Sequence, residues 1–253
     1  MAKIVSVHSF RGGTGKSNVT ANVAVTVARF GYTVGVIDTD IQSPGIHVLF
    51  GLEEENLQRT LNDYLWGKCA IEETVYDLTG RLDSVSKGKV FLIPCSLQIG
   101  EIAKVLREGY DVGLLNDGFR ALIEKLSLDY LFIDTHPGLN EETLLSIAIS
   151  NVLIIILRPD RQDYLGTAVT VDVAKKLDVP EMYLLVNKAH PDLNFDEVKT
   201  RMEKSFGVPV IAVLPLNEEM IHLGSAGIFC LRYPHHPFTR AVKEVAKTLI
   251  EKK

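Results

Sequence analysis

The sequence predicts an α/β protein in which helices cover both faces of a mostly parallel, doubly wound β-sheet. Two observations support this fold class. Short apolar runs rich in β-branched residues alternate with helical patterns along the whole 253-residue chain, and these runs are apolar almost throughout, as is typical of strands covered on both sides. No linker, internal repeat or biased segment interrupts the alternation, so residues 1–253 are predicted to form a single domain.

Seven apolar runs are predicted to be the strands of this sheet. In chain order they are KIVSVH (3–8), TVGVID (33–38), KVFLIP (89–94), DYLFID (129–134), VLIIIL (152–157), MYLLVN (182–187) and PVIAVL (209–214). VLIIIL is the longest purely apolar run, and it is far too short to cross a bilayer, so it is predicted to be a buried strand.

Three segments show helical periodicity in their apolar residues. The helix after the first strand is predicted to end at Gly31, and its stripe consists of Val19, Val23, Val27 and Phe30. The helix predicted over about 161–177 has a stripe of Leu165, Val169, Val173 and Leu177. The last helix has a stripe of Phe238, Val242, Val245 and Leu249. We expect this last stripe to dock on the core rather than to anchor the chain in a membrane.

Composition argues against several classes of protein. The net charge of −5 gives no overall basic character of the kind that attracts nucleic acid. The three cysteines are far apart and form no C-x-x-C pair, which indicates a reducing compartment and argues against a disulfide framework or a cysteine-held metal. The apolar N-terminal segment is interrupted too soon to be a signal peptide, so we expect a cytoplasmic protein.

The segment HSFRGGTGKSN (8–18) lies between a predicted strand and a predicted helix, which is where a phosphate-binding loop is found. It matches G-x-x-x-x-G-K-[ST] except that Phe10 replaces the first glycine. Glycines let the backbone amides approach phosphate oxygens, and the start of the helix adds its positive dipole end. Lys16 supplies a cation for the outer phosphates, and Ser17 supplies a hydroxyl ligand for Mg²⁺. The loop glycines are Gly12, Gly13 and Gly15.

Three acidic residues follow predicted strands at the edge where such sheets bind ligands. Asp134 ends the strand DYLFID, as the acid of a Walker B element does. Asp38 and Asp40 come at the end of TVGVID, and residues separated by one position point the same way while the chain is extended. We therefore expect these carboxylates to face the phosphate loop.

The motifs RGGTGKS, DTDIQSPG and DYLFIDTHPG, in this order, resemble the ParA/MinD family of ATPases with a deviant Walker A loop. The resemblance continues through PCSLQ, LVNK and VLPLNEEM, covers essentially the whole chain, and leans to the MinD-like side in PCSLQ. It implies an ATPase that uses ATP and Mg²⁺ and forms a homodimer when ATP is bound. In that family a lysine before the paired glycines reaches the partner's nucleotide, and here this position is Arg11.

The resemblance also implies roles for individual residues. Asp40 would orient the attacking water, while Asp38 and Asp134 would hold Mg²⁺ with Ser17, largely through waters. Arg11 would contact the nucleotide of the partner subunit, or would be a loop arginine without such a partner. The remaining residues implied in nucleotide binding are the loop residues Gly12, Gly13, Thr14, Gly15, Lys16 and Ser17, with Asn18 near the α-phosphate, Asn187 at the adenine edge and Pro215 packed on the base.

Two further side chains stand at the expected mouth of the site. Arg158 follows the strand VLIIIL and is either a second cation near the nucleotide or a solvated loop arginine. His136 stands where relatives usually carry proline or a small residue. We expect it to be an ordinary loop residue, with phosphate sensing as the alternative.

The resemblance predicts a protein that positions or partitions an intracellular cargo, cycling on and off a surface under the control of an activating partner protein. We expect this surface to be nucleoid DNA rather than a membrane. The candidate phosphate contacts are Lys175, Lys176, Lys199, Arg201 and Lys204, whose alternative is an ordinary solvated face. Other hypotheses are an ATP-dependent metabolic synthase or ligase and a membrane-associated regulator of division sites or flagella. An iron–sulfur carrier is disfavoured because the chain has no C-x-x-C.

Overall fold

Eight strands form one sheet in the computed structural model, which describes residues 2–82 and 87–251. The strands are β1 (Lys3–His8), β2 (Thr33–Asp38), β3 (Tyr76–Asp77), β4 (Lys89–Ile93), β5 (Tyr130–Asp134), β6 (Val152–Leu157), β7 (Glu181–Ala189) and β8 (Val210–Pro215). Their order across the sheet is β3-β4-β2-β5-β1-β6-β7-β8, and all neighbours are parallel except β3 and β4. The predicted fold class and all seven predicted strands are confirmed. The two-residue edge strand β3 was not predicted, since it is too short to show a periodic pattern.

Eleven α-helices accompany these strands in the described residues. They are α1 (Lys16–Arg29), α2 (Ile46–Leu49), α3 (Leu61–Leu65), α4 (Ile99–Glu108), α5 (Val112–Lys125), α6 (Glu141–Ala148), α7 (Arg161–Lys176), α8 (Phe195–Phe206), α9 (Glu218–Leu223), α10 (Phe229–Arg232) and α11 (Pro237–Glu251). None of the helices in 2–82 and 87–251 combines the length and the apolar character needed to span a bilayer.

Both faces of the sheet are buried under helices. Alternate residues of β5 show this, because Phe132 packs in a cluster with α1 and α11, whereas Leu131 and Ile133 pack in another with α3 and α5. A third cluster, on the same face as the second, joins β6 and β7 to α7 and α8. Burial on both sides explains why the strands read as continuous apolar runs.

The stripes predicted for the first and last helices are buried, with one exception. The three valines of α1 lie in the core, and so do all four stripe residues of α11, which docks against α1 and β8. The prediction that Phe30 belongs to the buried stripe is wrong, because Phe30 lies beyond the end of α1 and is 45% exposed. Since α11 buries its apolar stripe within the chain, that stripe is not available to a membrane.

The stripe predicted for α7 is wrong at its first two positions, whereas Leu177, just after the helix, packs against the third cluster. Leu165 is 69% exposed and Val169 is 47% exposed, and the face that packs on the sheet is formed instead by Gly166, Thr167, Thr170, Val171 and Ala174. Small residues on this face let the helix approach its neighbours closely. The closest approach is at Gly166, where an added Cβ would lie 2.2 Å from Cδ1 of Phe10. The side chain that replaces the first glycine of the phosphate loop therefore rests on α7.

Candidate nucleotide-binding and catalytic site

The carboxyl ends of β2, β5 and β1 lie side by side and bring the predicted motifs together. Asp134 pairs in register with both Asp38 and Val7, so the two acids and the start of the phosphate loop share one edge of the sheet. A cavity of about 250 Å³ opens at this edge. Its lining consists of Ser9, Gly12, Gly13, Thr14, Gly15, Lys16, Ser17, Asn18, Asp40, Ser43 and Pro137.

The conformation of the phosphate loop depends on its glycines and on two side chains near the end of β7. Gly13 and Gly15 have φ values of 77° and 90°, a region that other residues rarely adopt. Asn187 Nδ2 donates to the carbonyl of Thr14 at 2.8 Å, and Lys188 Nζ donates to the carbonyl of Gly13 at 2.8 Å. An added Cβ at Gly15 would lie 2.5 Å from Asn187 Nδ2, so only glycine fits there. The loop is thus shaped before any phosphate arrives.

Lys16 lies between the loop and the Walker B acid. Its ammonium group is 3.0 Å from Asp134 Oδ1, and Thr20 Oγ1 donates to the same oxygen at 3.1 Å. Both charged side chains are largely buried, and each neutralises the charge of the other. Lys16 also lines the cavity and can therefore meet an anionic ligand from this position.

Asp38 lies beneath the cavity rather than on its surface. It is fully buried and accepts hydrogen bonds from the backbone amides of Asp40, at 2.9 Å, and Gly45, at 3.2 Å. Burial raises the pKa of Asp38 to about 7, and the negative charge of Asp134 acts in the same direction. Of the three predicted metal ligands, only Ser17 lines the cavity, while Asp38 and Asp134 lie behind it.

The donor set still fits Mg²⁺. A hydroxyl and carboxylate oxygens are the ligands that this hard cation prefers, and it commonly keeps several waters that reach more distant carboxylates. Three carboxylates face one lysine at this edge, so the site holds an excess of negative charge that a divalent cation would balance.

Asp40 lies on the cavity wall, and hydrogen bonds hold one of its oxygens. Oδ1 accepts from the amide of Ser43 at 3.1 Å, from Ser43 Oγ at 3.0 Å and from His136 Nδ1 at 2.9 Å. Although burial acts to raise the pKa of the Asp40 carboxyl, the His136 hydrogen bond and the charge of Lys16 hold it below its ordinary value. We expected His136 to be an ordinary loop residue, and the structure shows that it contacts the residue implied in orienting water. The sequence signal for this contact was the residue type, since relatives usually carry proline or a small residue two positions after the Walker B acid.

Arg11 directly precedes the cavity-lining Gly12, and its side chain points toward the start of α7. Its side chain is 40% exposed, hydrogen-bonds to Gln162 and lies 3.6 Å from the buried carboxylate of Asp163. Arg158 contacts the same carboxylate, with Nε 3.0 Å from Asp163 Oδ2, and its Nη2 is 3.1 Å from Asp160 Oδ2. The guanidinium of Arg158, 31% exposed, is thus held by carboxylates at the start of α7, and Arg158 is not among the residues that line the cavity.

The residues implied in base binding meet at a second cavity, of about 190 Å³, next to the first. Gly15 and Asn18 line both cavities, and the second is also lined by Asn187 and Pro215. Sequence reasoning missed Asn217, which lines this cavity and whose buried Nδ2 has no hydrogen-bond partner among the residues the structure describes. A phosphate cavity joined to a second cavity of this kind has the form of a nucleotide site.

A model of the ParA family, described as a NUBPL iron-transfer P-loop NTPase, matches residues 1–250. The chain belongs to the ParA family of P-loop ATPases. This membership confirms the resemblance to ParA and MinD, and it makes the chain an ATPase.

Two relatives and one solved structure resemble the chain along almost its whole length. An ATP-binding protein of Methanocaldococcus jannaschii is 29% identical over 99% of this chain and 88% of its own. An iron–sulfur cluster carrier protein of Pyrococcus abyssi is 24% identical over 98% and 85%. The structure of MinD with Mg-ADP from Pyrococcus horikoshii superposes with a TM-score of 0.82, at 22% identity, over 98% of this chain and 96% of that one. This structural likeness shows that the two proteins share a fold.

Proposed function

We propose that this ATPase is a nucleotide-controlled switch that dimerises on binding ATP and Mg²⁺ and positions or partitions an intracellular cargo. The observation that carries the proposal is that the two cations of the phosphate loop differ in burial and in the direction of their side chains. Lys16 is buried over the Walker B acid, where it serves the nucleotide of its own subunit. The side chain of Arg11 is 40% exposed, so in this proposal it can turn to the nucleotide of a second subunit. Its planar guanidinium suits bidentate contact with phosphate.

In this proposal the loop amides and Lys16 hold the outer phosphates, and Ser17 is the protein ligand of Mg²⁺. The ion would neutralise charge on the phosphates. Asp40 lines the cavity and accepts a hydrogen bond from the attacking water, which orients the water toward the γ-phosphorus. The water oxygen forms the new P–O bond as the bond to the β-phosphate oxygen breaks, and the proton that the water loses passes to an oxygen of the phosphate product while ADP leaves. Arg11 of the partner would balance charge on the phosphates.

The proposed surface is nucleoid DNA, which also makes the proposed localisation cytoplasmic and nucleoid-associated. Five basic residues on α7 and α8 are exposed: Lys175, Lys176, Lys199, Arg201 and Lys204. The two helices are adjacent, since Lys175 Nζ donates to the carbonyl of Phe206 at the end of α8. These exposed cations would contact phosphates without reading sequence. An activating partner protein would release the dimer from this surface by stimulating hydrolysis.

Light scattering with and without ATP tests the switch. An Asp40→Ala chain, slowed in hydrolysis, should be monomeric with ADP and dimeric with ATP and Mg²⁺. Co-sedimentation with non-specific duplex DNA at two salt concentrations should then show binding by the ATP form alone, weaker at higher salt. A chain that stays monomeric with ATP would contradict the dimer, whereas a dimer indifferent to DNA would contradict only the surface.

A second candidate function is transfer of an iron–sulfur cluster. The name of the Pyrococcus abyssi relative and the description of the family model favour it. The cysteines do not, because the chain has no C-x-x-C, and of its three cysteines Cys95 and Cys230 are buried and only Cys69 is partly exposed. Anaerobic reconstitution with iron and sulfide decides between the two functions, since a carrier would gain visible absorbance and acid-labile sulfide in a fixed ratio to protein.

A further inference from the structure

The hydrogen bond between His136 and Asp40 joins two segments that approach the cavity from different strands. Asp40 follows β2, whereas His136 follows β5, and their Oδ1 and Nδ1 atoms are 2.9 Å apart. A carboxylate only accepts hydrogen bonds, so Nδ1 of His136 carries the proton. Both side chains are largely buried, which keeps water from competing for the contact.

This bond differs from the other two that Asp40 accepts. Both hydrogen bonds from Ser43 arise within the turn that contains Asp40, and they fix the carboxylate only relative to that turn. His136 fixes it relative to β5 and Asp134. All three bonds end on Oδ1, so among the described residues Oδ2 is the oxygen left to accept from a water.

The segment that carries His136 is itself anchored to the phosphate loop. The amide of Thr135 donates to the carbonyl of Val7, and the amide of Gly138 donates to the carbonyl of Ser9. Pro137 lines the cavity and lies against Gly12. Thr143 Oγ1 donates to the carbonyl of His136 itself, which holds its backbone in place from α6. The imidazole is therefore held by the same framework that holds the phosphates.

We propose that His136 is a positioning residue, which holds Oδ1 of Asp40 so that Oδ2 meets the attacking water at a fixed distance from the γ-phosphate. The inference rests on the role proposed above for Asp40. Small errors in the placement of such a group lower the rate of the chemical step while nucleotide binding is preserved. The loop amides, Lys16 and Ser17 do not contact the imidazole, so affinity for nucleotide should not depend on it.

Two substitutions of matched shape separate the hydrogen bond from the packing. In His136→Asn the amide nitrogen lies the same number of bonds from Cα as imidazole Nδ1, so the donor is kept. His136→Leu has the same branching and no donor. We expect His136→Leu to lower kcat about tenfold, equivalent to about 1.4 kcal/mol of barrier. KM and the affinity for ADP should change by less than about twofold, and His136→Asn should restore most of the rate. His235→Leu, at an exposed turn, is the control for loss of a histidine.

A double-mutant cycle then tests whether His136 acts through Asp40. If it does, His136→Leu should have no further effect on kcat in an Asp40→Ala chain, because the group that it positions is gone. A merely structural role would lower the rate by the same factor in both backgrounds. Thermal unfolding and ADP affinity confirm that each variant is folded, and His136→Ala replaces His136→Leu if the latter is not.

The inference is overturned if His136→Leu turns over at the parent rate, if His136→Asn is as slow as His136→Leu, or if the two substitutions multiply in the cycle. These outcomes leave the role of Asp40 intact when Asp40→Ala alone is slow. Turnover by Asp40→Ala at the parent rate would instead overturn the proposed role of Asp40 and this inference with it.

Discussion

Replacing Arg11 by alanine tests the cross-subunit contact directly. In the monomer Arg11 makes a partly exposed contact with Gln162 and Asp163, and its loss should lower the free energy of unfolding by no more than about 1 kcal/mol. Affinity of the monomer for nucleotide should survive, because Lys16, Ser17 and the loop amides are unchanged. The effect is expected only when two ATP-loaded subunits face each other.

The magnitude follows from what each guanidinium meets in the dimer. At about 4 Å from a phosphate charge, with an effective dielectric constant of about 20, the attraction is about 4 kcal/mol. Desolvation and ordering of the side chain oppose it, which leaves about 1.5–3 kcal/mol for a charge-assisted hydrogen bond. Both subunits lose one such contact, so the dimer should weaken by about 3–6 kcal/mol, or roughly a hundredfold to ten-thousandfold in Kd.

Light scattering over a range of protein concentrations, with ATP and Mg²⁺, measures this loss in a chain that also carries Asp40→Ala. Arg11→Lys should recover much of the dimer because it restores the residue usual in the family. Arg161→Ala, an exposed arginine at the start of α7, is the matched control and should dimerise as the parent does. The reasoning is refuted if Arg11→Ala dimerises with the parent's Kd, and Arg158 would then be the next cation to replace.

Three further substitutions test the site and its stability. Lys16→Ala removes the cation at the phosphates and leaves Asp134 unpaired, so calorimetry should detect no ATP binding, and unchanged affinity would contradict the loop assignment. Asp40→Ala should bind ATP with parental affinity but release phosphate at least about a hundredfold more slowly, as measured in a phosphate-release assay. Burial and the charge of Lys16 lower the pKa of His8 from its ordinary 6.5 to about 3, so the unfolded chain takes up a proton below pH 6.5 that the folded chain does not. The free energy of unfolding should therefore fall by about 1.4 kcal/mol per pH unit from about pH 6 to about pH 4 relative to His8→Asn, whose amide can keep the hydrogen bond to Thr135, and parallel curves in urea titrations would contradict this.

The strands and the phosphate loop could be predicted because local patterns determine them. A strand buried on both faces is apolar at every position, and the loop needs glycines wherever φ is positive, as at Gly13 and Gly15. The orientation of α7 could not be predicted in this way. Leu165 and Val169 have helical spacing, but the face of α7 that is buried is the one with Gly166, which packs closely against Phe10. Apolar periodicity does not reveal such a preference for small residues.

Contacts between side chains distant in sequence were the other part that could not be predicted. His136 and Asp40 are 96 positions apart, and nothing in either segment indicates the other. The placement of Arg158 depends on Asp163, whose burial follows from the packing of α7 rather than from its own neighbours. Motif resemblance implied which residues belong to the site, while the tertiary structure determines which of them touch.

The carboxylate of Asp163, only 3% exposed, has two guanidinium groups beside it. If Arg11 moves to the phosphates of a second subunit, Arg158 remains 3.0 Å from this carboxylate, so no bare charge is left in the protein interior. The exchange of partners by Arg11 then conserves the number of ion pairs. Its energetic cost is limited to a hydrogen bond to Gln162 and one long ionic contact, no more than about 1 kcal/mol. The threshold for dimerisation would thus be set almost wholly by the charge of the bound nucleotide.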